Sequence, residues 1–382
     1  MNNPKLIRKV FENLATNLNS VHQRIHGIDV HDLQLQTYAL AEWDEKKFRE
    51  DFTALITAIH SNCNKLALGF RVSPLPDQNC AQMMATELED SLQQMIQVFH
   101  GLTLECGTYF ISEIQHVCES IVGAAQAFVV CLRSTVSQKV EEKGEVLLTE
   151  VGKVWAVCDL SPQIPWNNLQ ACLKAIGKER KMIEDAQREL EEAIENESNL
   201  DSEEAEEMFD DIQPWSDQER EMLNPGLALI RTTGIIVKKI YLCIKKNGRA
   251  DSAEHTSQLS DITDVIKRLS GAVDDVSMNL YSPQEVPDLI DEAGYLRAEL
   301  LNTLKSIHPE EGIAHFVTEE DYDQWGEFLA KAVDHNFGKM EAAAAAKKSS
   351  EEEELNPMSL EEATEHLAGL GLETATDSSK ST

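Results

Sequence analysis

The chain has 382 residues, 42% of them apolar and only 6% aromatic, and its 34 basic and 67 acidic side chains leave a formal net charge of −33. That length holds about two domains, and the acidic balance disfavours direct nucleic-acid binding, which needs cations to displace the counterions of the phosphate backbone. With 18 Gly, 11 Pro and no series of turn dipeptides between apolar runs, a sheet protein is unsupported, while Leu, Ile, Ala, Met and Val mixed with Glu, Lys and Gln favour helix.

Apolar residues then recur at three- and four-residue intervals, the spacing that lines one face of a helix. Leu6, Val10, Leu14, Leu18, Val21 and Ile25 predict a first helix, and Phe48, Phe52, Leu55, Ile59, Cys63 and Leu66 a second, with Asp44 as its N-cap. After a break at Ser73-Pro74-Leu75-Pro76, Asp77 caps a third helix carrying Leu88, Leu92, Met95, Ile96 and Phe99. Gly107 separates it from a fourth with Phe110, Ile114, Val117, Ile121, Ala125, Phe128 and Leu132, and Gly144 precedes a fifth with Leu147, Val151, Val154, Trp155 and Cys158. Ser161-Pro162-Gln163-Ile164-Pro165 interrupts the pattern, since each proline lacks an amide donor and restricts the residue before it. A sixth helix starts at Asn167 or Asn168 and carries Leu169, Ile176, Ile183 and Leu190, spaced seven apart.

This helix fades into acid. From Glu184 to Glu221 there are 17 acidic and two basic residues, a block that repels itself and stays solvated. Helical grammar resumes after Trp215 with Met222, Leu223, Leu229, Ile230, Val237, Ile240, Tyr241 and Ile244 and stops at Asn247-Gly248. Within it, Pro225 either kinks the helix or opens a new one at its first position, where its missing amide costs least, the second being the preferred reading. Three more stripes follow: Leu259 to Val276, Leu289 to Ile307, and Tyr322, Trp325, Phe328, Leu329, Val333 and Phe337. The expected organisation is therefore all-α. Residues 1–196 form an N-terminal helical bundle of five to six helices, 197–213 an acidic linker, 214–346 a C-terminal bundle of about four helices, and 347–382 a disordered acidic tail in which Leu360 to Leu370 is amphipathic.

Catalytic signatures are missing: no phosphate loop, dinucleotide fingerprint, nucleophile elbow or zincin helix occurs, so no enzyme activity and no cofactor are expected. His22 and His26 lie one turn apart with only His31 nearby, too few ligands for a metal site. Adjacent Asp274 and Asp275 point about 100° apart on a helix and read as a solvated face. The eight cysteines lack paired spacing and read as buried thiols in a reducing compartment. The N-terminus lacks the blocks of a secretory signal, and the longest apolar run, Ile121 to Leu132, is short for a span. Neither export nor membrane spanning is expected, and a basic lipid- or actin-facing patch is hard to place at this net charge.

The heptad Leu169, Ile176, Ile183, Leu190 reads either as core of the first bundle, the preferred reading, or as a zipper seam. With Pro, Trp and Asn where a DNA-gripping basic region would stand, a zipper here implies an inhibitor that sequesters its partner.

Val154-Trp155, Cys158, Pro162-Gln163-Ile164-Pro165 and Asn168 resemble the central motif of the cyclin-D-binding (Maid-like) protein family. A second block, Trp215-Ser216, Pro225, Leu227-Ala228-Leu229, Arg231 and Lys238-Lys239-Ile240, and a third, Val273-Asp274-Asp275 with Tyr281 and Pro283, agree with it. The resemblance implies a two-bundle, up-and-down helical fold akin to the talin and vinculin rods. It also implies binding to D-type cyclins and helix-loop-helix transcription factors, restraint of the cell cycle, and residence in both cytoplasm and nucleus. It brings no catalytic residues. A talin- or vinculin-like cytoskeletal or signalling adaptor is the alternative.

Overall fold

The computed structural model describes residues 3–27, 44–72, 74–136, 140–198, 214–310 and 314–355. Among these, ten long α-helices and one short one carry the fold, and no strand occurs. They are α1 (Pro4–His26), α2 (Glu45–Arg71), α3 (Gln78–His100), α4 (Thr108–Thr135), α5 (Val140–Cys158), α6 (Asn168–Ser198), α7 (Asp217–Asn247), α8 (Ala253–Asn279), α9 (Val286–Ser306), α10 (Glu319–Asp323) and α11 (Gly326–Leu355). The all-α expectation holds, and the local reason is visible at the helix starts. The Asp44 carboxylate accepts from Lys47 N at 3.0 Å and that of Asp77 from Cys80 N at 2.8 Å, each satisfying an amide that has no partner inside its helix.

Buried apolar side chains gather in two clusters. The first is built by α1 to α5 with Ile164, Trp166 and Ala171 from the segment that enters α6, and its helix contacts run in a closed ring from α1 to α4, α5, α2, α3 and back to α1. The second is built by α6 to α11, with α6, α7, α11, α9 and α8 closing a second ring. The periodic stripes face these cores, so spacing alone located most of the buried residues. Phe328 departs from this: it lies 72% exposed, while its neighbours Trp325 and Leu329 are buried.

Three expectations change here. The heptad helix α6 packs on α7 and α8 and contributes Cys172, Ile176, Ile183 and Leu190 to the second cluster, not to the first bundle where residues 1–196 were placed; Leu169 packs against the same cluster. The seam is intramolecular, but the chain break that matters precedes α6, at the two prolines. Pro225 does not open a helix. A capping box between Ser216 and Glu219 starts α7 two turns earlier, and Pro225 lies buried in its interior. The tail expected from Lys347 overlaps α11, which runs on through the Ala342 to Ala346 tract, a run of the best helix former, to Leu355; residues 356–382 lie outside the described residues. Residues 199–213 of the acidic linker and the Leu360 to Leu370 stretch lie outside the described residues.

By length and composition α4 would suffice to cross a membrane. In the fold its Phe110, Ile114, Ile121, Phe128 and Leu132 are buried in the first cluster.

Candidate functional site

The segment from Pro162 to Asn168 is where four helices meet. Asn167 caps α6, its side chain accepting from Gln170 N at 3.0 Å, and its amide donates to Glu45 Oε2 at the start of α2, also at 3.0 Å. Trp166 is buried against Phe48 and Phe52 of α2, with the Arg49 guanidinium 5.4 Å above its ring. Asn168 reaches furthest. Its Oδ1 accepts from Phe110 N in the first turn of α4 at 3.2 Å, and its Nδ2 donates to Thr256 O and Ser260 Oγ of α8, both at 3.0 Å.

Asn168 thus acts as a cap supplied from a distant helix. The N-cap position of α4 is Gly107, which has no side chain to offer and sits at φ 98°, a conformation open to glycine. A Cβ there would lie 2.5 Å from Asn168 Cβ and closer still to its Cγ and Oδ1. Next to it, Tyr109 OH donates to Asp264 Oδ1 of α8 at 2.7 Å, and Lys174 of α6 pairs with Glu113 of α4 at 2.6 Å. These bonds join the two clusters.

A second junction locks the start of α7 to the turn between α8 and α9. Trp215 Nε1 donates to Leu280 O at 2.8 Å, and its ring stacks on Tyr281 with centroids 6.2 Å apart. The Leu280 side chain sits over Gly226, where a Cβ would come within 2.7 Å of it. Glu219 accepts from Ser216 N and Gln284 N, each at 2.7 Å, and from Ser216 Oγ at 2.8 Å. Burial works against the Glu219 charge, but those bonds from Gln284 and Ser216 outweigh it and hold the carboxyl below its ordinary range.

Residues 51–196 match the family model described as "Grap2 and cyclin-D-interacting, N-terminal", and residues 200–305 match its C-terminal counterpart. The chain belongs to the Grap2 and cyclin-D-interacting family. Similar relatives span most of it. Cyclin-D1-binding protein 1 homolog of Xenopus laevis is 27% identical over 86% of this chain and 96% of its own length. Cyclin-D1-binding protein 1 of Homo sapiens is 26% identical over 78% of this chain and 85% of its own, and the Danio rerio homolog is 26% identical over 80% and 87%.

The residues by which the sequence resembles the family mostly serve its architecture. Val154, Ile164, Pro165, Trp215, Pro225, Leu227 and Leu229 are buried. Trp155 is half-buried, 5.8 Å from the His60 ring, while Pro162, Gln163 and Arg231 are exposed. The second and third blocks, separate in sequence, meet at the Trp215 junction. Asn168 connects the first block to α8. Sequence reasoning placed Gly107 at the break before α4 but missed its contact with Asn168, and it missed Glu219 and Gln284; the Ser-x-x-Glu spacing from Ser216 to Glu219 was a readable capping signal, whereas nothing local links Gln284 to either.

Among the described residues no group of three His, Cys, Asp or Glu could hold a metal; His26 is exposed and pairs with Glu119 at 3.4 Å. All eight cysteines are free, and burial pushes the thiols of Cys172 and Cys243 up to about 12 and about 11, so they stay protonated and weakly nucleophilic. Asp274 is half-buried, a departure from the solvated face expected. Burial, then Asp275, Glu179 and Glu189, push its carboxyl up.

Glu219→Ala removes the acceptor of two amide donors and is expected to cost about 2–3 kcal/mol, read by urea unfolding at neutral pH. Because the folded state holds this carboxyl below its unfolded value, its contribution is complete above about pH 4.3 and is lost as pH falls. The wild-type advantage over Glu219→Gln should therefore shrink on acidification; a gap that stays constant down to acid pH would contradict the assignment.

Proposed function

We propose that this chain is a non-catalytic regulator that binds a D-type cyclin and thereby restrains cell-cycle progression, working in cytoplasm and nucleus. The observation that carries this reading is the match to both family domains over 51–196 and 200–305, together with relatives named for binding cyclin D1 that it covers nearly end to end. A scaffold whose motif residues are mostly internal has its outer helix faces free for a partner, and capture lowers the partner's free concentration by mass action.

Helix-loop-helix transcription factors are the second class of partner in this proposal. Burial of Ile176, Ile183 and Leu190 inside the second cluster removes the seam as their docking surface, so another face has to receive them.

The test is direct binding of the purified full chain to a purified D-type cyclin by calorimetry, with a helix-loop-helix protein, filamentous actin and lipid vesicles in parallel. Saturable binding to the cyclin is expected. Retention of actin or vesicles with no cyclin would replace this reading with the adaptor one.

A further inference from the structure

The outer face of α7 carries a charge pattern opposite to that of the whole chain. From Met222 to Ala250 there are six basic residues (Arg231, Lys238, Lys239, Lys245, Lys246 and Arg249) and no acidic one, within a protein of net charge −33. A basic patch, hard to place from the overall charge, is therefore present. Arg231, Ile235, Lys238, Leu242 and Lys245 follow one another at intervals of four and three and are all exposed, which puts them on one stripe. The opposite side of the helix, Ile236, Val237, Ile240 and Ile244, is buried in the second cluster.

Its flanks are set by the neighbouring helices. On one side Arg231 pairs with Glu191 of α6 at 2.8 Å, and the Arg180 guanidinium of α6 lies 5.0 Å over Tyr241. On the other, Asn336 of α11 donates to Thr232 Oγ1 at 3.2 Å, and Lys246 pairs with Asp321 at 3.1 Å. Asp321 lies in α10 just ahead of α11, so the two anchors run the α10–α11 segment antiparallel to α7, and between them in sequence α11 exposes Phe328. The face thus combines Ile235 and Leu242, each 47% exposed, with Lys238, Lys239 and Lys245, which make no hydrogen bond or ion pair with the described residues.

We propose that this face of α7, with Phe328 on its α11 flank, docks an acidic amphipathic helix of a partner protein. Apolar residues two turns apart match the i, i+7 anchors of a helix laid into a groove, and the unpaired ammonium groups would meet carboxylates along the partner's edges. A bilayer fits less well. It is a plane that would face the acidic surroundings of the stripe as well as the stripe, whereas a single helix stays within about 8 Å of the lysines, the screening length at physiological salt. The inference follows from this face alone and does not require the partner to be a cyclin.

The experiment uses the full chain and a fluorescein-labelled synthetic helix with leucine along one stripe and glutamate on both flanks, followed by anisotropy. A second peptide replaces every glutamate with lysine, and phosphatidylcholine–phosphatidylserine vesicles form a third arm. The unsubstituted chain should bind the glutamate helix, reject the lysine helix, and lose affinity with rising salt. Lys238→Glu combined with Lys245→Glu should weaken glutamate-helix binding roughly tenfold or more and raise affinity for the lysine helix, with circular dichroism melting showing that the substituted chain keeps its fold. Equal affinity of both chains for both peptides would overturn the proposal, as would vesicle binding that the substitutions abolish without any helix binding. Both chains are also assayed against a D-type cyclin. Helix binding without cyclin binding ends the cyclin reading and leaves this face standing; cyclin binding without helix binding ends this inference alone.

Discussion

Replacing Ile176 or Ile183 with aspartate is expected to unfold the protein cooperatively instead of removing one binding partner from an intact fold. Both side chains are essentially inaccessible, at 0% and 1%, and they face α7 and α8, with Ile183 packed beside Gly234. The cluster around them is apolar, so a carboxylate there must either stay ionised in an apolar environment or take up a proton. Either route costs more than the lost hydrophobic contact, so a destabilisation of about 4 kcal/mol or more is expected for each. Circular dichroism melting is the measurement. A variant that keeps the wild-type melting temperature while losing a zipper-type partner would return the seam to the surface.

The second large effect belongs to the Gly107–Asn168 pair. Gly107→Ala should cost about 3 kcal/mol or more, because the added Cβ both resists the positive φ and collides with Asn168. Asn168 is 1% exposed and held by bonds to α4 and α8, so it has little freedom to give way. Asn168→Ala should cost about 2–3 kcal/mol on its own by removing the acceptor of the Phe110 amide and the donor to Thr256 O and Ser260 Oγ. The two substitutions should be less than additive, since alanine at 168 vacates the space that the Cβ of residue 107 needs. Strict additivity in denaturant unfolding of the four variants would show that the two residues do not share that space.

Both effects bear on how the motif is read. A block such as Pro162 to Asn168 stands out in a sequence because its residues are unusual for a helical chain, and such residues invite assignment as a binding site. Here the prolines end α5 and turn the chain, Trp166 fills an aromatic pocket, and Asn168 supplies a cap that α4 lacks. The exposed positions that could meet a partner lie instead on α7, where only Arg231 and the Lys238-Lys239 pair belonged to a recognised block. Ile235, Leu242 and Phe328 carried no signal as surface residues, because an apolar side chain at helical spacing reads as core unless the face it occupies is known.

What the sequence determined by itself is the set of helices and most of their buried sides. A three-to-four spacing of apolar residues needs only the geometry of one helix to predict which face turns inward, and Asp44, Asp77 and the two prolines need only local hydrogen bonding to mark ends. Tertiary structure decided which core each face entered. The stripe of α6 is equally satisfied by either cluster, since hydrophobic burial is non-directional; its first turns meet both, through Asn168 and Lys174, and further along Glu191 and Glu197 pair with Arg231 and Arg220 of α7. The same holds for Gly107, Gln284 and the basic face of α7. Each depends on residues tens of positions away, and the chain's local pattern holds no record of that distance.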